Sequence, residues 1–544
     1  MASTASEPLP LAGADAARPA PRWLLAASAL AALLFATPLA YLVVHGLAEG
    51  GGLTATWASS RTLVPLARSL GLGAAVAAAA ALLGTTLAWL VVRTDLPGRR
   101  TAGLLLPLPL VMPSFIAAFA LLAAFAPGGL LARLLVPLGV ERLPTVDGFW
   151  GAFYVLTLFT YPYVYLPVAA RLGQLPAALE ESARLLGRGP AGAFRSVVLP
   201  QTAGAVWAGA LLVFLYTISD FGAVQLLRFH TLTSSIYAAR VFDRATALAQ
   251  SLLLGALAVA VVAVERSVAG RRPARLAHGS RPLRIALGRW KAPAAILVAG
   301  VLALALLAPV GVLAFWALRG TLAGSTRAAA LVADAGSLAV PALNTAAMAA
   351  LAAVLAVVAV LPVAYLTARH RSRLAAGANA VIVGGFALPG LVVALALTFW
   401  TLQAPGPVGV LYQTQALLVF AYVVHFGSQA LRAGQVAVAA IPGRLEDAAR
   451  TLGAGRLRRL LTVELPLALP GLLAGAGLVL LSTMKELPAT LLLAPPGFET
   501  LATKIWNATE DAFLADASLA ALLLLLLSGV LTWLLVVRRG DAPE

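Results

Sequence analysis

The chain has 544 residues, of which 61% are hydrophobic and only 11% are charged, and its mean hydropathy is +0.91. A water-soluble protein could not bury so much apolar surface, so the composition excludes that class. The absence of cysteine excludes disulfides, thiolate metal sites and a cysteine nucleophile. The net charge of +17 is dispersed in short segments between apolar stretches, which argues against a nucleic-acid-binding protein.

Apolar windows of about 20 residues, the length of a membrane-spanning helix, recur along the whole chain. They predict an all-α polytopic membrane protein with about 12 transmembrane helices. We place the spans at 23–45, 66–92, 103–125, 150–170, 201–220, 246–265, 292–317, 344–367, 377–400, 411–431, 467–484 and 515–537. The first 22 residues are polar and rich in Pro and Ala, do not resemble a signal peptide, and are expected to form a disordered cytoplasmic tail.

The basic residues predict the orientation of the chain in the membrane. If the N-terminus is cytoplasmic, 28 of the 39 Lys and Arg residues fall on the cytoplasmic side and 11 on the other. Such an excess marks the cytoplasmic side, so both termini are expected to be cytoplasmic. The predicted domains are the tail 1–22, a first half 23–270 with six helices, a basic cytoplasmic linker 271–291, and a second half 292–544 with six helices.

Two polar segments, 176–200 and 442–466, repeat each other at an offset of 266 residues. Eleven of their 25 positions are identical, well above what unrelated segments of this composition would share. A second similarity between the halves is that of "FHTLTSSIY" (229–237) to "FETLATKIW" (498–506), and a third is the position of Pro113 and Pro389. Six spans per half leave both halves in the same orientation, so the repeat is parallel.

Each polar segment is predicted to hold a short helix at the cytoplasmic surface. In the second copy Leu445, Ala448, Ala449 and Leu452 recur at helical spacing and form one apolar stripe. Gly453 follows in the place of a left-handed C-terminal cap. An amphipathic helix resting on lipid head groups is the alternative, but it would require no particular glycine or alanine, and both copies keep the same ones.

The two segments resemble the cytoplasmic loop motif of binding-protein-dependent ABC importer permeases. That motif reads acidic, small, Ala, three residues, Gly, nine residues, aliphatic, any residue, Leu-Pro. Here it begins as Glu181-Ser182-Ala183…Gly187 and as Asp447-Ala448-Ala449…Gly453. Ser182 and Asp447 depart from the usual Ala and Glu but keep their size or charge.

The resemblance implies a type I ABC importer permease-like fold, in a fused two-half form, in a bacterial inner membrane. It also implies two partners besides the lipid bilayer: an ABC ATPase subunit dimer and an extracytoplasmic solute-binding protein. Each loop would form a coupling helix that docks on the ATPase. The ATPase-coupling residues it implies are Glu180, Glu181, Ala183, Gly187, Glu446, Asp447, Ala449 and Gly453.

ATP is expected to be used by the partner subunit, with no cofactor bound by this chain and no enzymatic activity of its own. A phosphate-binding loop needs a lysine in a fixed glycine-rich context. The three lysines, Lys291, Lys485 and Lys504, lie in no such context.

Within the family, the fused form and the segments 218–237 and 484–506 resemble ferric-iron transport permeases. Fused permeases for thiamine, phosphonate or polyamine share the architecture and remain alternatives. From other classes, an ion-gradient-driven secondary transporter and a membrane scaffold also remain open. The secondary transporter would need ionisable groups near mid-membrane, and the central parts of the spans hold almost none.

Two acidic residues are candidates for the translocation pathway. Asp220 and Glu486 match across the repeat, and each ends the fifth span of its half on the predicted outer side. Such a pair would attract a hard cation such as Fe³⁺, or contact the binding protein. The alternative is that Glu486 pairs with Lys485 or solvent, and that Asp220 is an interfacial charge.

Two tyrosines inside predicted spans are weaker candidates for the pathway or a gate. Tyr161 lies one helical turn from Tyr165, and Tyr422 is close to His425. Tyrosine and histidine can bind iron, although packing is the commoner role of aromatic residues inside a membrane. The histidines show no metal-site spacing, so no metal site is firmly assigned.

Overall fold

The structure, a computed structural model, describes residues 20–48, 52–140, 143–269, 284–322, 335–370, 372–404 and 406–540. Within these ranges the chain forms helices and loops, with one isolated backbone bridge between Thr94 and Ile285. The all-α prediction is confirmed. Most of the predicted tail 1–22 and of the linker 271–291 lies outside the described residues, so the domain boundaries remain predictions.

The part of the first half that the structure describes folds into helices α1 to α14. Their bounds are α1 Arg22–Ala48, α2 Leu53–Ala58, α3 Ser60–Arg93, α4 Arg99–Leu105, α5 Ser114–Phe125, α6 Leu130–Leu135, α7 Phe149–Thr160, α8 Pro162–Gly173, α9 Ala177–Leu185, α10 Pro190–Ala193, α11 Leu199–Ser219, α12 Gly222–Leu226, α13 Leu232–Phe242 and α14 Arg244–Ala269.

The second half continues with helices α15 to α26. Their bounds are α15 Lys291–Leu302, α16 Ala308–Leu322, α17 Ala335–Arg369, α18 Arg373–Ala387, α19 Gly390–Gln403, α20 Gln415–Ala439, α21 Gly443–Thr451, α22 Arg456–Arg459, α23 Leu465–Met484, α24 Pro488–Leu493, α25 Leu501–Glu510 and α26 Leu514–Gly540. Single π-helical stretches at Phe194–Val198 and Leu460–Glu464 precede α11 and α23 at the same 266-residue offset, so the repeat extends to this irregular feature.

Among the described residues, 11 helical segments are long and apolar enough to cross a membrane, and the bent pair α18–α19 raises the number to 12. This agrees with the predicted span count. The third span of each half, predicted as continuous at 103–125 and 377–400, is instead broken. Pro113 and Pro389 adopt extended backbone angles directly before α5 and α19, and α18 meets α19 at 107°. Proline cannot donate to the preceding turn and disfavours helical geometry in the residue before it.

The first membrane span of each half reaches across to the other half. Helix α1 packs against α17, α18 and α19, and Phe35 lies so close to Gly427 that a methyl group on that glycine would collide with its ring. Helix α16 packs against α5 as well as α26, and the Trp316 indole donates to the Ala123 carbonyl oxygen at 2.9 Å. The two halves are therefore interlocked.

The described end of the linker is fastened to the loop after α3. The Ile285 N–H donates to the Arg93 carbonyl oxygen at 2.8 Å, and the Leu287 N–H donates to the Asp95 carboxylate at 2.9 Å. Lys291, the first residue of α15, forms an ion pair with Asp95 at 2.9 Å. The bond from Leu287 and the nearby ammonium of Lys291 hold the pKa of Asp95 below its usual range. We call this set of contacts the linker clasp.

Candidate functional site

The two polar segments form the short helices that the sequence predicts, α9 and α21, which we call the loop helices. Both end in the same hydrogen-bonded cap. The N–H of Gly453 donates to Arg450 and that of Ala454 to Ala449, and the N–H of Gly187 donates to Arg184 in the same way. Gly187 and Gly453 have φ angles of 84° and 78°, which favour glycine. The left-handed cap predicted at Gly453 is confirmed, and Gly187 forms the same cap in the first copy.

One face of each loop helix is exposed and apolar. At the C-terminal ends Leu186 is 83% exposed and Leu452 is 87% exposed. Glu181 and Asp447, the acidic residues of the motif, also lie on the exposed side, and Asp447 forms a 3.1 Å ion pair with Arg450. Both copies therefore place a large apolar side chain at the same exposed position, directly before the glycine cap.

The opposite face of each loop helix is turned toward the transmembrane bundle. Glu180 and Ala183 are buried in α9. Glu180 forms an ion pair with Arg93, and Glu446 forms one with Arg369 at 2.9 Å. The sequence groups Glu180 and Glu446 with the residues that face a partner, but the structure engages both carboxylates with arginines of this chain. Helical spacing explains the difference, because neighbouring positions on a helix point about 100° apart.

A cavity of about 430 Å³ lies between the halves, at the breaks in the third spans. The first half contributes Ser114 at the start of α5 and Asp220 after α11; the second contributes Gly390 at the start of α19 and Glu486 after α23. In many secondary transporters, broken helices likewise place their N-terminal ends at the substrate site. Both predicted pathway carboxylates therefore line one cavity.

Asp220 is buried, and both of its carboxylate oxygens already accept hydrogen bonds. Oδ1 accepts from the N–H groups of Ala223 and Val224, at 3.0 and 3.3 Å, and Oδ2 accepts from the Ser114 hydroxyl. The two N–H groups belong to the first turn of α12, where a helix has no internal acceptor for them. The bonding therefore favours a helix-capping role for Asp220 over that of a free ligand.

Glu486 is less fully engaged than Asp220. Its Oε1 accepts from the Ala489 N–H at 3.1 Å, the only hydrogen bond to its carboxylate among those described. A methyl group on Gly390 would lie 2.6 Å from this oxygen and 3.3 Å from His425 Nε2, so both groups face the same glycine. The alternative, a pairing of Glu486 with Lys485, is not seen, because Lys485 Nζ donates to the Leu110 carbonyl oxygen at 3.1 Å.

Tyr161 and Tyr422 do not line this cavity. Tyr161 is fully buried and donates to the Leu106 carbonyl oxygen at 2.8 Å, while the Tyr422 hydroxyl lies 2.6 Å from that of Thr490. Their neighbours Tyr163 and His425 line it instead. Within the described part of the chain no group of three His, Asp or Glu residues is arranged to hold a metal ion.

Sequence reasoning missed two further groups of residues. Ser114 and Gly390 directly follow Pro113 and Pro389, so this pair of matching prolines was the available sequence signal for the cavity. Arg93 and Arg369 are charges at the ends of matching apolar segments, "LAWLVVR" (87–93) and "VAYLTAR" (363–369). The match between these segments was the signal for the arginines.

The fold and the repeat define a class of protein. A family model for the binding-protein-dependent transport system inner membrane component matches residues 96–268 and 360–538, together more than half of the chain. The chain belongs to this family, and the two matches show the fused two-half form. It is a multi-pass permease subunit of an ABC importer and not an enzyme, and the family works in general with an ATPase and a binding protein.

Named relatives refine this picture. The chain is 29% identical over 459 residues to the Fe(3+)-transport system permease protein FbpB 2 of Haemophilus influenzae, covering 83% of this chain and 85% of the relative. It is 27% identical over 234 residues to the putative 2-aminoethylphosphonate transport system permease protein PhnU of Salmonella typhimurium, covering 41% and 82%. It is 32% identical over 142 residues to the sulfate transport system permease protein CysT of Escherichia coli, covering 26% and 50%.

Proposed function

We propose that this chain is the permease of an ATP-driven importer of ferric iron, which it receives from an extracytoplasmic binding protein. The loop helices dock on a separate ABC ATPase dimer, one helix on each subunit, and both termini are cytoplasmic. The observation that carries the proposal is the pair of loop helices, which have the same cap and the same exposed apolar end.

The exposed faces of the loop helices support the docking surface. Leu186 and Leu452 extend from the capped ends, where the glycine reverses the chain and fixes their direction. Glu181 and Asp447 add an acidic rim beside these apolar tips. A small apolar centre with a charged rim is the usual composition of a protein interface.

The choice of ferric iron is supported by the extent of the alignment. The 459 residues aligned with the ferric-iron relative exceed the length of either half, whereas the phosphonate and sulfate relatives align with less than half of this chain. The cavity also offers the carboxylate of Glu486 to a hard cation.

The mechanism is alternating access. ATP binding closes the ATPase dimer and draws the loop helices together, which opens the halves toward the binding protein. Iron enters the cavity between the broken third spans, and hydrolysis with separation of the ATPase subunits returns the halves to the inward-open state. Because α1 and α16 each pack across the interface, the two halves move as linked bodies.

Uptake of radiolabelled Fe³⁺ tests the function. Cells that carry this chain, its ATPase and its binding protein should accumulate iron, and deletion of the chain should abolish uptake. Excess thiamine, phosphonate or sulfate should not compete. Competition by one of these solutes would overturn the iron assignment, and uptake that persists without the ATPase but stops with a protonophore would identify a gradient-driven transporter.

A further inference from the structure

Two arginines occupy equivalent ends of long helices. Arg93 is the last residue of α3 and Arg369 is the last residue of α17. The arginines are 276 residues apart, whereas their partners Glu180 and Glu446 are 266 apart. The first half therefore has ten more residues between arginine and glutamate, yet both halves form the same ion pair.

The first pair is closed off from solvent. The side chains of Arg93 and Glu180 are 1% and 3% exposed, and Arg93 is among the largest fully buried side chains of the described chain. Glu180 lies in the first turn of α9, where the helix dipole favours a negative charge. A buried arginine with one carboxylate partner ties α9 to the end of α3, since separation would leave both charges desolvated.

The second pair repeats this connection in a more open setting. Arg369 Nη2 lies 2.9 Å from Glu446 Oε1, and it also donates to the Ile441 carbonyl oxygen at 2.8 Å, directly before α21. The two side chains are 22% and 24% exposed. Water reaches this pair, so each charge is less dependent on the other than in the first half.

The ion pairs are the polar connection between the loop helices and the long transmembrane helices. Each loop helix packs mainly on the segment that follows it in the chain, residues 190–198 in the first half and 456–464 in the second. Both loop helices are nine residues long, too short to be stable without tertiary contacts. The ion pairs therefore give α9 and α21 a direct side-chain link to α3 and α17, beside the path along the chain through residues 190–198 and 456–464 into α11 and α23.

We propose that Arg93 and Arg369 are positioning residues for energy coupling: through Glu180 and Glu446 they transmit the movement of the loop helices to α3 and α17. This role rests on the proposed function of the loop helices. It assigns the two faces of each loop helix to different tasks, the exposed face to ATPase docking and the glutamate face to transmission. It also predicts an unequal contribution, because the first pair is buried and the second is not.

The test uses the complete complex in proteoliposomes, with iron uptake and ATP hydrolysis measured on the same preparation. Arg93→Gln should leave the ATPase bound and hydrolysing, while iron transported per ATP falls about tenfold because the buried pair is lost. Arg369→Gln should lower the ratio only about threefold, as expected for a pair that water can reach. Arg100→Gln changes an exposed arginine in the first turn of α4; it is the matched control and should leave the ratio unchanged.

Rescue separates transmission from simple loss of structure. Arg93→Lys keeps the charge and should restore much of the iron transported per ATP. The double exchange Arg369→Glu with Glu446→Arg should restore the second ion pair with its charges reversed. If Arg93→Gln fails to accumulate in membranes, Arg369→Gln and its charge exchange decide the question.

Wild-type ratios in both glutamine variants, or no recovery in the exchange variant, would overturn the transmission role. A wild-type chain that binds no ATPase would instead overturn the proposed function itself, so the two failures are distinguishable.

Discussion

At the residue scale, Asp220 and Glu486 are related by the repeat but differ in chemistry. Asp220 uses both carboxylate oxygens to bind Ser114 and the first turn of α12, whereas the described hydrogen bonds engage only Oε1 of Glu486. The sequence identifies the pair from the shared offset. It cannot show which member is satisfied by its own backbone, because that depends on how the chain turns after each helix.

The capping role of Asp220 predicts different results for two substitutions. Asp220→Asn retains an oxygen for the α12 amides and should keep iron uptake near the wild-type level. Asp220→Ala removes the cap and should destabilise the protein by about 1 kcal/mol. Thermal unfolding in detergent and uptake in cells provide the measurements. If Asp220→Asn is stable but loses as much uptake as Asp220→Ala, the negative charge itself is required.

Glu486 should behave in the opposite way. Glu486→Gln keeps an oxygen for the Ala489 N–H but removes the charge from the cavity, so iron uptake should fall about tenfold with little change in unfolding temperature. Glu499→Gln is a suitable control because Glu499 lies outside the cavity and pairs with Lys504. Uptake unchanged in Glu486→Gln would exclude this carboxylate from the pathway.

At the element scale, the loop helices were predictable because their signals are local. The apolar spacing, the acidic first turn and the terminal glycine all act within one short segment. The broken third spans were not predicted, although Pro113 and Pro389 were recognised as equivalent. A proline can kink a membrane helix or end it, and the neighbouring helices decide which occurs.

The glycine caps provide a test of the loop helices as rigid elements. A methyl group at Gly187 or Gly453 would meet no atom within 4 Å, so Gly→Ala there costs only backbone strain, about 1–2 kcal/mol. Both variants should reduce the amount of ATPase that co-purifies. Gly189→Ala and Gly455→Ala are matched controls, since these glycines are equally open and lack a positive φ angle. Equal losses in variants and controls would contradict the role of the caps.

The linker clasp can be tested by removing the Asp95 carboxylate. Asp95→Ala removes the acceptor of the Leu287 N–H and the partner of Lys291, so amide hydrogen exchange at 284–290 should become about tenfold faster. A lowered pKa in the folded state means that this contribution to stability is present at neutral pH and is lost only as pH falls through that pKa. Asp243→Ala is the control, because it removes a carboxylate that accepts from Thr246 at the start of α14, outside the clasp. Unchanged exchange in Asp95→Ala would show that the clasp is not held by this carboxylate.

At the scale of the whole molecule, the sequence predicted the number of membrane spans and the parallel duplication. Both follow from the length of the apolar segments and from the identity between the two halves, which are properties of the chain itself. It did not predict that α1 packs on α17 to α19, or that α16 packs on α5. Nearly every side chain of a membrane helix is apolar, so hydropathy identifies the span without identifying its neighbours. The cavity between the halves depends on that interlocked packing.

The central claim is that the exposed C-terminal ends of α9 and α21 both face the ATPase. The chain has no cysteine, so in a single-cysteine variant any thiol cross-link from this chain must come from the introduced residue. Leu186→Cys and Leu452→Cys place a thiol at the exposed ends of α9 and α21, and Phe242→Cys places one at the equally exposed end of α13, on the predicted outer side.

Cross-linking of these three variants in inside-out membrane vesicles, with a cysteine-to-amine reagent, tests the claim most directly. The Leu186→Cys and Leu452→Cys chains should each give a covalent product with the ATPase subunit, and Phe242→Cys should give none. An ATPase product from Phe242→Cys, or none from either loop helix, would contradict the account.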